Sequence, residues 1–272
     1  MKDKKKLLII LLCILLFLTC ETNPLTKETT LALMSDKELF AMSFQQYNEF
    51  LSENTVINGT PKAIMVKSIG ENIKTAAEKW YASKGNLKYL NDYAWEYNLV
   101  DSKEVNAWCM PGGKIVVYTG ILPITKNKDA LATVMGHEVA HALLNHGKQR
   151  VSAGYLQQLG GALGATLLGL AFGASEQTQE LFLLAYGVGT NLGVMLPYSR
   201  KHESEADHYG LILMAIAGYD PEESIPFWQR MAAMGSSGPE FLSTHPSHET
   251  RINDLKKSIP EAKKIAAELN NR

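Results

Sequence analysis

Apolar positions along the chain fall into a helical first third, a short strand-rich middle and a helical remainder. Ser35-Asp36-Lys37-Glu38 has the capping-box form and opens a helix to about Ser52; Thr60-Pro61 opens a second to about Lys84, before Gly85-Asn86. From Tyr93 to Tyr118 the period shortens. Tyr93-Ala94-Trp95, Val105-Asn106-Ala107-Trp108 and Ile115-Val116-Val117-Tyr118 read as strands, separated by Asp101-Ser102 and Pro111-Gly112-Gly113. These predict a small antiparallel sheet. Helical patterning resumes after Gly120, with Asn127 or Asp129 as N-cap and Gly147 beyond the last turn, and continues over about 152–174, 177–195 and 201–217, where Gly218 stops it. Asp220-Pro221 restarts a helix, and Ser247 is the expected cap of the last. The fold class that follows is α+β.

The N-terminus follows another rule. Lys2, Lys4, Lys5 and Lys6 precede an apolar run from Leu7 to Leu18, the pattern of a secretory signal and too short to span a bilayer. Phe17-Leu18-Thr19-Cys20 resembles the lipobox of bacterial lipoproteins, although Thr19 stands where Gly or Ala is usual. The expected organisation is therefore a lipoprotein-type signal over 1–20, a tether over 21–34 and one catalytic domain over 35–272. A lipid on Cys20 would tie the chain to the periplasmic face of a bacterial membrane; ordinary signal cleavage would instead leave it soluble in the periplasm. Of the three cysteines, only Cys109 is then left in the domain, which excludes an internal disulfide and leaves it as a small apolar filler. A net charge of -1 with both signs interspersed offers nothing to grip a phosphate backbone, so nucleic acid is not an expected partner.

His137-Glu138-Val139-Ala140-His141 carries the chemistry. Residues four apart share a helix face, so both imidazoles can converge on one Zn2+ while Glu138 reaches a water on the metal. A catalytic zinc takes three protein ligands and keeps its fourth position for water. Glu203-Ser204-Glu205-Ala206-Asp207 supplies the remainder: Glu203 is the third ligand, and Asp207, one turn on, is placed to fix a zinc histidine through its second N–H. Glu205 points about 200° away from Glu203. His146, His202 and His208 fall off the ligand faces, and His248 reads as a surface residue.

These motifs, with Asn106-Ala107-Trp108, Pro111-Gly112-Gly113-Lys114, Pro197-Tyr198-Ser199-Arg200, Gly218-Tyr219-Asp220-Pro221 and Thr244-His245-Pro246, resemble the metallopeptidase family containing the HtpX, BepA, OMA-type and CAAX prenyl proteases. The resemblance covers about residues 60 to 258. It implies a mostly helical, zincin-type domain around a small sheet, one zinc per chain held by His137, His141 and Glu203, and Glu138 as the catalytic base. It also places His245 in an active-site loop, either stabilising the oxyanion or filling the open zinc position at rest. The soluble and lipoprotein members are the nearer likeness, which implies an envelope endopeptidase acting on misfolded or misassembled proteins.

Three expectations complete the reading. Ile115, Val116 and Val117 would form either an edge strand to which an extended substrate adds or a plain core strand. The apolar stretches Val151 to Ser175 and Leu181 to Ser199 would make a hairpin buried against the domain rather than a bilayer span, since Gln157, Gln158 and Asn191 interrupt them. The rival function is a lipoprotein chaperone with a structural metal, against which Glu138 argues, because a structural site has no need of a base beside the metal.

Overall fold

The computed structural model describes residues 20–161, 198–234, 240–245 and 250–271. It opens on an antiparallel hairpin, β1 (Cys20–Thr22) and β2 (Thr29–Leu31). Residues expected to form a tether are thus folded onto the body: Asn23 Nδ2 donates to the Leu143 carbonyl at 2.8 Å, and the Leu33 N–H donates to Ser152 Oγ at 3.1 Å. Lys148 bridges Glu21 and Asp36, and Lys201 pairs with Glu28. The signal segment before Cys20 lies outside the described residues, as do most of the two apolar stretches, Ser247 and His248. Among the described residues no helix is long and apolar enough to cross a membrane.

Local start signals decide where the next helices begin. Ser35 and Glu38 close the full capping box over α1 (Asp36–Glu53). β3 (Val56–Ile57) follows, and Thr60 Oγ1 then accepts the Ala63 N–H at the head of α2 (Pro61–Ser83), whose first residue is the expected proline. Next come β4 (Glu96–Val100), β5 (Ala107–Met110) and β6 (Lys114–Tyr118). The first of these begins after Trp95, later than expected, and the Tyr93 and Trp95 rings ahead of it pack together at 5.2 Å.

The sheet runs β3-β4-β6-β5 and is mixed. β5 and β6 form the hairpin turned by Pro111-Gly112-Gly113, and β6 inserts parallel to β4, with Glu96 opposite Lys114. Two corrections follow. The sheet is not wholly antiparallel, and Ile115, Val116 and Val117 lie in an interior strand paired on both sides, so their backbone cannot accept an added strand. An uninterrupted apolar run is what burial on both faces demands. Ile115 and Val117 face α2 with Tyr97, Leu99, Ala107 and Cys109, whereas Val116 and Tyr118 face α1 with Tyr47, Phe50 and Trp108. Cys109 is buried filler, and burial pushes its thiol well above the ordinary range.

Past one helical turn at Leu122–Thr125, Asn127 Oδ1 accepts the Ala130 N–H at 2.8 Å and starts α3 (Lys128–Leu143). This helix stops earlier than Gly147 suggested. Asn145 adopts φ 58°, the left-handed stop that Asn tolerates, and α4 (His146–Gly161) departs in a new direction. α5 (Arg200–Ile216) is capped by Ser199 and ended by Gly218 at φ 88°. Asp220 caps a short turn into α6 (Ser224–Ala232), and α7 (Glu240–Thr244) and α8 (Arg251–Asn270) complete the chain. α3 and α5 cross backbone to backbone. A methyl group on Gly136 would lie 2.8 Å from the Gly210 carbonyl oxygen, and one on Gly210 would lie 2.8 Å from the His137 nitrogen. That contact sets two metal-ligand motifs against each other.

Candidate active site

α3 is buried along its whole length beyond the first turn, so His137, Glu138 and His141 project into the interior rather than onto a surface. Across the Gly136–Gly210 contact, α5 contributes Glu203 and Asp207, and the residue after α7 contributes His245. His137, His141, Glu203 and His245 offer donor atoms all within 4.8 Å of one another. The spacing tests which ion they suit. His137 Nε2 lies 3.1 Å from His141 Nε2 and 3.2 Å from His245 Nδ1; Glu203 oxygens lie 3.5, 3.4 and 3.0 Å from His137, His141 and His245. Four N and O ligands at about 2.0–2.1 Å from a tetrahedral zinc stand about 3.3–3.4 Å apart. The donor set and its edges fit zinc.

Two buried oxygens point the same way. Glu203 Oε2 and Glu138 Oε1 make no well-aligned hydrogen bond, although Arg251 Nη1 lies 3.2 Å from the first and His245 Nε2 3.3 Å from the second, so both keep acceptor capacity for a cation and a water-borne proton. Burial pulls the His137 imidazole down, but hydrogen bonds to Asp207 and Glu203, and their charges, outweigh it and raise it to about 9. Two carboxylates therefore favour positive charge at this spot. Burial pushes Glu203 up, yet the charge of His245 and hydrogen bonds from His137, His141 and His245 hold it well below the usual range. Glu138 moves the other way, raised by burial against the pull of His245 and His137, as a base requires. Its Oε1 lies 3.3 Å from His245 Nε2.

Each metal-facing histidine is fixed on its far side. His137 Nδ1 meets Asp207 Oδ1 at 2.9 Å. Arg251, 1% exposed, spans both acidic residues, with Nη2 2.6 Å from Asp207 and Nη1 3.2 Å from Glu203, while its guanidinium lies 3.3 Å over the Trp228 ring. His141 stacks on Tyr198 at 3.8 Å, and its Nδ1 meets His146 Nδ1 at 2.9 Å. Phe241 stacks on His245 at 4.6 Å.

The structure thus gathers His137, Glu138, His141, Glu203, Asp207 and His245 at one point and leaves Ile115, Val116 and Val117 inside the sheet. Sequence reasoning gave no site role to Arg251, His146 or Tyr198. Arg251 had no signal, since a lone basic residue opening a helix reads as solvated. His146 did have one, the Asn145 helix stop, which cancels the helical wheel that set it off His141's face. His202 and His208 stay outside the cluster, His208 facing Ser258 at 3.3 Å.

The family model for "Peptidase family M48" matches residues 70–259. The chain is 39% identical over 176 residues to the mitochondrial metalloendopeptidase OMA1 of Schizosaccharomyces pombe, covering 64% of this chain and 49% of that protein. It is 30% identical over 264 residues to human mitochondrial metalloendopeptidase OMA1, covering 94% and 49%. With the beta-barrel assembly-enhancing protease of Escherichia coli it shares 32% over 166 residues, covering 58% and 33%. The chain spans about half the length, or less, of these curated relatives.

Proposed function

The chain belongs to peptidase family M48 and carries that family's zinc metallopeptidase domain, and from this we propose that it is an endopeptidase cleaving unfolded or misassembled proteins at a bacterial cell envelope. The observation that carries the reading is a buried, close-set group of His137, His141, Glu203 and His245 with Glu138 beside it.

Zinc held by His137, His141 and Glu203 would supply Lewis acidity toward the scissile carbonyl and the attacking water. Glu138 takes the proton of that water and returns it to the leaving amine. Asp207 holds His137 in the tautomer that leaves Nε2 free, and Arg251 balances the charge of Asp207 and Glu203. An extended substrate needs an edge strand, and with β6 interior that role moves to β5, which packs beside α3. His245 reads as the fourth ligand at rest. To admit water and substrate it would have to leave the metal. Four protein donors would equally suit a structural metal in a chaperone, but a structural site has no need of a base such as Glu138, buried beside the cluster.

The Escherichia coli relative named as a beta-barrel assembly-enhancing protease supports the envelope setting. A lipid on Cys20, which is exposed at the start of β1, would hold the body against the bilayer with no spacer, because the hairpin is docked. The test is cleavage of unfolded casein beside a folded control protein, before chelation, after it, and after zinc is restored. Loss and recovery of cleavage confined to the unfolded substrate is expected; cleavage that survives chelation, or none at all with zinc bound, overturns the proposal.

A further inference from the structure

Neither His146 nor Glu205 offers an atom to the metal cluster. Yet His146 is completely buried, 2.9 Å from the far nitrogen of His141 by its Nδ1 and 3.1 Å from Glu205 Oε2 by its Nε2. We propose that His146 and Glu205 form a relay that positions the zinc ligand His141, with the His141 Nδ1–H donated to His146 Nδ1 and the His146 Nε2–H donated to Glu205. This rests on the zinc reading above.

Direction follows from ligand chemistry. A histidine that gives Nε2 to a metal carries its proton on Nδ1, so the partner of Nδ1 must accept. For His146 that partner atom is Nδ1, which puts its own proton on Nε2, facing the Glu205 carboxylate. One tautomer of each ring satisfies every bond in the chain. The other tautomer of His146 would set two N–H groups against each other 2.9 Å apart and push His141 off the metal.

The fold builds the relay with three devices. The left-handed Asn145 bends the chain so that His146 returns to His141, and Asn145 Nδ2 is itself anchored on the Tyr89 hydroxyl at 2.7 Å. The His146 ring plane is held by His202, stacked at 4.4 Å and 17°, and His202 Nε2 meets Gln149 Oε1 at 3.2 Å. Glu205 remains at the solvent margin, 20% exposed, with Lys201 3.5 Å away. A carboxylate placed directly on His141 would need its charge buried; an imidazole in between carries the hydrogen bond inward and leaves the charge outside. His137 and His141 are therefore supported differently by one helix: Asp207 touches its ligand, and Glu205 acts through a ring.

Zinc competition against a chromophoric chelator tests this in the full chain, with His146→Phe, which keeps a stacking ring but has no acceptor, and His146→Asn, whose Oδ1 stands where Nδ1 was. His146→Phe should bind zinc about 10- to 100-fold more weakly. His146→Asn should recover most of that loss and restore the visible spectrum of the cobalt-substituted protein, and Glu205→Ala should weaken zinc less and add little to His146→Phe. Melting of each chelated protein registers packing alone, which a merely structural role would move without the asparagine rescue. Wild-type affinity in His146→Phe, or an asparagine variant as weak as the phenylalanine one, overturns the relay while leaving the zinc site standing. A wild-type chain that takes up no zinc sinks the site, and the relay with it.

Discussion

Gly210→Ala should damage the metal site without altering a ligand side chain. The added methyl would sit 2.8 Å from the His137 nitrogen and 2.9 Å from its Cα, where ordinary contact begins at 3.4 Å. Both obstacles are backbone, so neither can rotate aside, and α3 and α5 must part by about half an ångström. Overpacking of this kind costs roughly 1–3 kcal/mol, and the upper end applies to rigid neighbours. Alanine's better helix propensity returns about 1 kcal/mol, leaving the chelated protein about 2 kcal/mol less stable. At about 2–4 °C per kcal/mol for a chain of this size, the melting point falls by about 4–8 °C. Zinc suffers separately. Ligand distances must hold within about 0.2 Å, so the same displacement carries Glu203 away from His137 and His141 and should weaken zinc at least tenfold, read by chelator competition. Gly218→Ala is the control: it lies at φ 88° with nothing within 4 Å of the new methyl, so its cost of about 1–2 kcal/mol is backbone strain alone. Its zinc affinity should match wild type. A Gly210→Ala protein with wild-type melting and wild-type zinc affinity would refute the claim that this crossing sets the ligand geometry.

Other outcomes follow from the same geometry. Arg251→Met strips the counter-charge from two buried carboxylates and should cost roughly 3–5 kcal/mol by urea denaturation; a loss under 1 kcal/mol would show that the pairing contributes little. Asp207→Asn keeps an acceptor for His137 but loses the charge, and zinc affinity should fall about tenfold; unchanged affinity would place Asp207 outside the site's support. His245→Ala, if His245 is the resting ligand, should loosen zinc without lowering casein turnover, whereas a turnover drop of about a hundredfold at full zinc content would make it an oxyanion donor instead.

Chemistry was more legible in this chain than topology. His137 and His141 are four apart on a helix whose cap, Asn127, is also local, so spacing alone put both imidazoles on one face. Glu203 and Asp207 repeat that logic on α5, which Gly218 ends where a left-handed residue is required. The sheet was harder. Three strands in sequence read as neighbouring hairpins, and only the unbroken apolar run of β6 hinted that it lies between the other two. Arg251 meets Asp207 across 44 residues, and no local pattern encodes such a pairing. The hairpin at 20–31 was read as tether for a similar reason: its polar residues are spent on distant partners, Leu143 and Lys148, rather than on solvent.

The central claim, one zinc held by His137, His141 and Glu203 and worked by Glu138, meets its most direct test when zinc content and casein hydrolysis are measured on the same preparations of wild type and Glu138→Gln. The amide keeps the carboxylate's shape and loses its basicity. One zinc per chain in both proteins, with hydrolysis in the wild type alone, is the predicted result; hydrolysis by Glu138→Gln at a comparable rate, or wild-type hydrolysis with no zinc bound, would contradict it.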